Sequence, residues 1–194
     1  MSYTYHTFKN SLDPRAAEIV DLPDRVEKYY YLSDGIRVAP HLPPSTELHL
    51  YEEAGDMLKD FIDNPDRVLY VSQRAREVLQ QQGLSEDVIE YLPFVLLDKR
   101  GRRVREQYYI ANPLVRVPCL DFTRSRYWLD SDDPTDLGGI TVLHMLEDRL
   151  PADARLFRVA EYTRLVVLRS DLLEALRQAG LTGPHVQPVG MRMT

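Results

Sequence analysis

The spacing at which hydrophobic residues recur changes several times along the chain, and each change predicts a short strand or helix. In Glu47–Tyr51 polar and apolar residues alternate, which is typical of a half-buried strand. Arg67–Val71 is a run of strand-forming residues. Ser72 is then a suitable N-cap for a helix over Ala75–Gln82, and Gly83 is suited to end that helix. The pattern predicts a strand followed at once by a helix.

A similar pattern returns near the C-terminus. Residues 164–168, RLVVL, predict a strand, Ser170 the cap of the next helix, and Gly180 its end. Asp171 places an acid in the first turn, where it favours the helix dipole. The sequence EVLQQQGL at 77–84 matches EALRQAGL at 174–181. Helix-end residues converge easily, so the sequence leaves open whether 67–84 and 164–181 are a duplication.

Three weaker patterns complete the prediction of local structure. Lys28–Ser33, KYYYLS, is rich in strand-forming residues and is predicted as the first core strand. Ala54–Ile62 has an apolar stripe at helical spacing and is predicted as a short amphipathic helix. Pro14–Val20 is a further helix candidate. Tyr91–Leu97 and Gln107–Ala111 flank a glycine-containing turn, which predicts a hairpin.

Strands, helices and the hairpin interleave without a regular βαβ alternation. This predicts an α+β fold with a mixed or antiparallel sheet, strand–helix units and a central hairpin in a single domain. Residues 1–27 are polar and contain prolines, so we interpret them as an N-terminal arm and 28–194 as the domain. The predicted core residues are Tyr29, Leu69, Val71, Leu79, Phe94, Ile110, Leu120, Phe157, Val166 and Leu176.

Composition narrows the class of protein. With 194 residues, 44% hydrophobic and 28% charged, the chain has the composition of a folded soluble domain. No run approaches the about 18 apolar residues of a membrane span, and the N-terminus lacks the apolar segment of a secretory signal. We therefore expect a cytoplasmic protein without membrane contact. The single cysteine, Cys119, lies in an apolar run and is expected to be buried.

Catalytic chemistry finds little support in the sequence. Phosphate-binding glycine loops, the serine nucleophile motif and zinc spacings are missing together, which predicts no enzyme, no cofactor and no metal. His49 with Glu52, and His144 with Glu147, have a spacing that shares a face only on a helix, and His49 lies in a strand-like segment. A nuclease-like reading of 23–28 fails because Glu27 and Lys28 are adjacent and would face opposite sides of a strand.

A basic turn is the basis of a second functional hypothesis. Residues 99–105 contain five lysines and arginines, a composition that suits contact with phosphate in a nucleic-acid-binding or regulatory module. A solvated hairpin tip explains the same residues, and the formal net charge of -6 disfavours nucleic acid as a partner.

Acidic residues beside aromatic ones suggest a surface for a protein partner. Tyr127 and Trp128 precede a loop without a basic residue, and a carboxylate rim around an aromatic anchor suits protein binding. The loop acids are Asp130, Asp132, Asp133 and Asp136, and a second cluster, at a predicted helix start, is Glu52, Glu53 and Asp56. Solvation of an exposed loop is the simpler explanation of the loop acids, and the helix dipole favours acids at a helix start. The loop lacks the spacing of a calcium loop.

Residues 108–126, YYIANPLVRVPCLDFTRSR, resemble a family of bacterial immunity proteins encoded beside polymorphic toxins and contact-delivered effectors, formerly a domain of unknown function. The resemblance covers about residues 28–190 through VLYVSQRAREVL, YLPF, LFRV, RLVVLRS and GLTG. It implies inhibition by binding a cognate toxin and gives no catalytic residue. Asp121 and Ser125 match the family phrase and are assigned structural hydrogen bonds. The oligomeric state is left open, and a homo-oligomer is compatible with the sequence.

Overall fold

Two five-stranded sheets and a two-stranded hairpin make up the part of the chain that the computed structural model describes, residues 3–20 and 30–193. The first sheet has the order β12 (Val186–Pro188), β1 (Tyr5–Phe8), β11 (Tyr162–Arg169), β10 (Leu156–Val159) and β7 (Arg116–Val117). The second has the order β2 (Glu47–His49), β5 (Ile89–Leu97), β6 (Tyr108–Pro113), β4 (Leu69–Ser72) and β3 (Phe61–Ile62). The hairpin pairs β8 (Arg126–Leu129) with β9 (Leu137–Val142).

Three α-helices accompany the sheets within these residues: α1 (Tyr31–Asp34), α2 (Gln73–Gln81) and α3 (Ser170–Gln178). Short 3-10 turns span Ala39–His41 and Glu147–Arg149. Both large sheets are mixed, because β2 runs parallel to β5 and β7 parallel to β10 while the other neighbours are antiparallel. The predicted α+β single domain with a mixed sheet is confirmed, as is the hairpin, which β5 and β6 form.

The first strand–helix unit is confirmed in detail. Ser72 caps α2, since its Oγ accepts a hydrogen bond from the Ala75 amide at 3.1 Å. Gly83 follows the helix with a φ of 84°, a left-handed conformation that glycine adopts without strain. The Ser72 hydroxyl also donates to the buried carboxylate of Asp60 at 2.8 Å. One side chain thus satisfies a helix end and a buried acid together.

The second unit is confirmed except for its cap. Gly180 ends α3 with a φ of 67°, and Asp171 lies in the first turn. The prediction that Ser170 caps α3 is wrong. The N-cap is Arg169, and its side chain makes no capping hydrogen bond. Ser170 has already entered the helix, and its Oγ instead accepts from the Thr4 amide at 3.2 Å.

We expect Ser72→Ala to lower the free energy of unfolding by about 1–2 kcal/mol, because the variant loses both the cap and the donor to Oδ1 of Asp60. Ser170→Ala is the matched control, and it should cost less than about 0.5 kcal/mol because no helix end depends on it. Urea unfolding of the two variants measures the difference. Equal losses would contradict the assignment of Ser72 as the cap.

The two units share topology as well as sequence. In each, the helix leads to a strand parallel to the first, with one antiparallel strand inserted between them: β6 between β4 and β5, and β1 between β11 and β12. On the other side of the first strand lies the preceding strand, β3 or β10, again antiparallel. Common helix-end residues do not impose this arrangement, so the topology favours duplication over convergence.

Residues 3–20 pair with both sheets. β1 lies between β11 and β12, and residues 16–19 form isolated bridges to Met57, Asp63 and Leu50, next to β3 and β2 of the second sheet. The predicted helix over Pro14–Val20 is wrong, because this segment is extended and its amides bond to the distant carbonyls of Met57 and Asp63. The division of the chain into 1–27 and 28–194 stays a prediction.

Two further predictions of local structure are wrong. Ala54–Ile62 is irregular and ends in β3, because the amides of Gly55 and Met57 donate to Ala16 and Arg15 instead of to their own helix. In Lys28–Ser33, residues 28 and 29 lie outside the described residues, and Tyr31–Asp34 is helical instead of extended. In the first segment distant backbone carbonyls accept from the amides, whereas α1 keeps local amide bonds and its Leu32 and Ser33 carbonyls accept from the side chain of Arg158.

The predicted core is confirmed wherever it is described. Nine of the ten predicted residues are buried, and Tyr29 lies outside the described residues. Cys119 is also buried, which raises the pKa of its thiol to about 12 and leaves it without thiolate character. Val71, Leu79, Val166 and Leu176 belong to one cluster, in which the two strand–helix units pack together.

A buried arginine joins the two sheets. Arg158 of β10 is only 4% exposed, and the burial lowers the pKa of its guanidinium to about 10. Five oxygen atoms accept from it: the carbonyls of Pro113 (2.9 Å), Leu32 (2.6 Å), Thr163 (2.7 Å) and Ser33 (3.3 Å), and Oδ1 of Asn112 (3.2 Å). Because these acceptors lie on β6, β11 and α1, the arginine fixes α1 over the junction of the sheets.

Glu90 of β5 extends this network. Its carboxylate accepts from the amides of Val38 (2.9 Å) and Ala39 (3.1 Å) and from Nδ2 of Asn112 (3.1 Å). Gly35 makes the close approach possible, since a Cβ there would lie 2.8 Å from Cδ of Arg158, and its φ is 63°. The segment from α1 to Ala39 is therefore held by polar contacts to both sheets.

Candidate functional site

The β8–β9 hairpin exposes large apolar side chains. All four residues of β8 are exposed, with Trp128 at 53%, Leu129 at 50% and Tyr127 at 39%. Phe122, just before the strand, is 49% exposed, and its ring meets that of Tyr127 edge-on at 5.5 Å between centroids. We call the surface formed by Phe122, Tyr127, Trp128, Leu129 and the loop acids of 130–136 the hairpin surface. Tyr127 and Trp128 were predicted here, whereas Phe122 and Leu129 were missed.

Glycines on β9 position the tryptophan. A Cβ at Gly139 would lie 2.2 Å from Cη2 of Trp128, and one at Gly138 would lie 2.6 Å from its Nε1. The indole therefore lies across the backbone of β9, where only glycine leaves room. This contact limits the rotation of Trp128 while half of its surface stays in solvent, which suits an anchor for a partner.

Asp121 and Ser125 hold the base of the hairpin, and their predicted structural role is confirmed. Oδ1 of Asp121 accepts from the amide (3.0 Å) and hydroxyl (2.6 Å) of Thr123 and from the Arg124 amide (3.2 Å). The Thr123 hydrogen bond lowers the pKa of the Asp121 carboxyl. Ser125 Oγ donates to the His144 carbonyl and accepts from the His144 amide. These contacts fix the turn from which β8 starts.

The acidic loop is ordered by its own side chains. Asp130 Oδ1 accepts from the Asp132 amide at 2.8 Å, and Asp133 Oδ1 accepts from the amide and hydroxyl of Thr135 at 3.0 and 2.6 Å. The Thr135 hydrogen bond lowers the pKa of the Asp133 carboxyl. Among the described residues, none of Asp130, Asp132, Asp133 and Asp136 forms a salt bridge. The loop therefore presents uncompensated negative charge beside the aromatic residues.

The second acidic cluster differs in setting. Glu52, Glu53 and Asp56 are exposed, but they follow β2 in an irregular segment, so the expected helix start is wrong. Asp56 forms a salt bridge with Lys99 at 3.0 Å, and Glu53 accepts from the Tyr51 hydroxyl at 3.0 Å. No described hydrogen bond or ion pair joins this cluster to the hairpin surface. Its charge is partly compensated, which makes it the weaker candidate.

The basic turn uses much of its charge locally. Asp98 pairs with Arg102 at 2.7 Å, and this contact lowers the pKa of the Asp98 carboxyl to about 2. Lys99 is occupied by Asp56. Of the two tyrosines on the strand after the turn, Tyr108 is buried and Tyr109 lies under the guanidinium of Arg76 at 4.6 Å, so both rings are already engaged within the fold and not presented for stacking on a base. The arrangement favours a solvated hairpin tip over a nucleic-acid surface.

Neither histidine pair has the geometry of a metal site. His49 lies in β2 and His144 in the segment after β9, so the spacing to Glu52 and Glu147 does not place them on one helix face. Within the described residues, no group of three or more histidines, cysteines and acids is arranged to hold a metal ion. Residues 23–28 lie outside the described residues.

A cleft lies between the edges of the two sheets. It measures about 180 Å³ and is lined by stacked Phe8 and Phe61, with Asp63, Arg67 and Tyr70 beside them. Pockets for metabolites and cofactors usually measure about 300–1,000 Å³. This cleft is smaller than such pockets, and we take the hairpin surface as the candidate site for its exposed apolar side chains and its carboxylates.

Comparison with known proteins agrees with these features. A model of the immunity protein family Imm11 matches residues 5–191, which includes β1 and all later strands and helices. No curated protein matches the chain significantly. In the described residues no helix is long and apolar enough to cross a membrane. Since the family match covers nearly the whole chain, the protein belongs to the Imm11 family of immunity proteins.

Proposed function

We propose that this chain is a cytoplasmic inhibitor that binds a cognate, co-encoded bacterial toxin through the hairpin surface and neutralises it by protein–protein contact. One observation carries the proposal: four exposed apolar side chains stand beside four carboxylates without salt bridges on one internally hydrogen-bonded hairpin. Family membership supplies the immunity role. Neutralisation by contact requires no catalysis, cofactor or metal of the inhibitor.

The two halves of the surface have different tasks in this proposal. Exposed carboxylates contribute little binding energy singly, but together they attract a cationic partner and speed its association. Trp128 and Tyr127 provide the area that becomes buried, and aromatic side chains are the usual anchors of interfaces. Glu52, Glu53 and Asp56 are proposed as a second, auxiliary contact.

Reversing Asp130, Asp132, Asp133 and Asp136 to lysine tests the electrostatic half. We expect the association rate with the toxin to fall about tenfold or more and to depend less on salt. The melting temperature should fall only slightly, because all four side chains are exposed and the hydrogen bonds that Asp130 and Asp133 lose lie within the loop. Stopped-flow binding at several salt concentrations measures the rate, and co-expression with the neighbouring toxin gene measures protection of growth.

The control carries the same change of net charge elsewhere: Asp66, Asp87, Asp153 and Glu174, all exposed and outside the hairpin, are changed to lysine. If the two quadruple variants bind at equal rates, only the overall charge matters, and the hairpin assignment fails. If the hairpin variant protects cells and binds at the wild-type rate, the contact surface lies elsewhere. The cluster of Glu52, Glu53 and Asp56 then becomes the next surface to reverse.

A further inference from the structure

The outer edge of β8 is unoccupied by another strand. Within the described residues, the sheet that contains β8 has two strands, and β9 is the partner on one side only. All four residues of β8 are exposed, three of them large and apolar. Folded proteins usually cover or disrupt an apolar edge of this kind, because its free amides and carbonyls pair readily with another chain. A strand from a partner is therefore the natural occupant of this edge.

The residues around this edge are complementary in charge and polarity to the same residues of a second copy that runs antiparallel. Residues 124–132 read RSRYWLDSD: two arginines, three apolar residues, then two aspartates, with a serine inside each charged pair. In an antiparallel pair with Trp128 opposite its own copy, Arg126 faces Asp130 and Tyr127 faces Leu129. Each match occurs twice, once on either side of the centre. A parallel pair would instead place Arg126 opposite Arg126.

The alternation of side chains along a strand strengthens this match. Arg126 and Trp128 lie on one face of β8, and Asp130, the first residue after the strand, continues the same parity. A pairing that extends one residue beyond Leu129 therefore brings both members of each ion pair to that face. Tyr127 and Leu129 fall on the other face, where Phe122 already contacts Tyr127. Opposite charges and apolar pairs directly across two strands are the contacts that stabilise antiparallel sheets.

We infer that the free edge of β8 pairs antiparallel with β8 of a second copy of this chain, about a two-fold axis at Trp128. Such an interface is isologous, so one patch of the monomer serves both sides. The hydrogen bonds of Asp121 and Ser125 hold the start of the strand in place before the second copy arrives. A four-residue edge buries little area, so the dimer should form at micromolar or higher concentration.

Charge reversal at the paired positions gives a test that no other interface imitates. Arg126→Asp and Asp130→Arg should each raise the dimer dissociation constant about tenfold or more, because each places like charges opposite each other twice. Mixed in equal amounts, the two variants restore opposite charges at both ends and should form a heterodimer. The double variant R126D/D130R should form a homodimer again. Sedimentation velocity from about 1 to 500 µM measures all four samples.

Arg105→Asp is the control, since Arg105 is exposed and lies on the basic turn outside the hairpin. It should leave the dimer unchanged. A wild-type protein that stays monomeric over this range overturns the inference. So does a dimer that both single variants leave intact, or single variants that fail to associate on mixing. Circular dichroism melting checks that each variant is folded.

The dimer covers part of the hairpin surface, so the toxin and the second copy should compete for β8. This point alone rests on the proposed function. Added toxin should convert dimer to a one-to-one complex, and R126D, whose dimer is weakened, should bind toxin at least as fast as the wild type at high concentration. Growth protection by the wild type tests the proposed function separately. A wild-type protein that protects cells but stays monomeric would contradict the dimer only.

Discussion

Replacing Arg158 with alanine should lower the free energy of unfolding by about 3–5 kcal/mol, because five oxygen atoms lose their common donor. The cost is large because the bonds to Pro113, Leu32 and Asn112 are buried, and those oxygens have no replacement donor unless the junction of the sheets opens. Guanidinium-induced unfolding measures the loss. α1 should lose protection from amide hydrogen exchange before the rest of the fold.

Arg164→Ala is the matched control, since Arg164 lies on the adjacent β11 but is exposed. It should change the free energy of unfolding by less than about 0.5 kcal/mol. Arg158→Lys separates charge from geometry: a lysine supplies the charge but cannot reach five acceptors on three elements, so it should recover less than half of the loss. Equal stability of the Arg158 and Arg164 alanine variants would refute the bridging role.

Trp128→Ala should weaken toxin binding by about 2–4 kcal/mol, which corresponds to roughly a 30- to 1,000-fold higher dissociation constant. The indole supplies the largest exposed apolar side chain of the hairpin surface and is already oriented by Gly138 and Gly139. An anchor that needs no reordering loses little entropy on binding. Calorimetric titration of purified toxin measures affinity, and growth of cells that express both proteins measures protection.

Leu12→Ala provides a control for loss of exposed apolar area, because Leu12 is 95% exposed and far from the hairpin in sequence. It should bind toxin as the wild type does. Gly139→Ala is a second probe: it displaces the indole without removing it, so an intermediate loss of affinity is expected. Wild-type affinity of the Trp128 variant would contradict the hairpin as the binding surface.

Sequence patterns located the candidate site but not its shape. The aromatic pair and the acids of 130–136 stand out because they are adjacent along the chain. Phe122 was missed because its contact with Tyr127 depends on the turn that Asp121 fixes. The sequence places Asp56 in the second acidic cluster, but its ion pair with Lys99 joins residues more than forty positions apart. Pairings over such distances have no signature in a local pattern.

By itself, the sequence determined the elements whose signals are local. Local signals of this kind predict the strand–helix units, the β5–β6 hairpin and the nine described core residues. Each signal is an apolar period, a cap or a turn within a few residues, so it does not depend on the rest of the fold.

Tertiary structure decided the segments with conflicting or weak signals. Residues 54–60 and 14–20 both have helical patterns. Amides of each segment donate instead to backbone carbonyls of the other, and these hydrogen bonds outweigh the small intrinsic preference for helix. Tyr31–Asp34 became helical because Gly35 and the buried Arg158 hold that turn against both sheets. Local propensity amounts to tenths of a kcal/mol per residue, whereas a buried hydrogen-bonding group left without a partner costs about 1–3 kcal/mol, so the distant partners prevail.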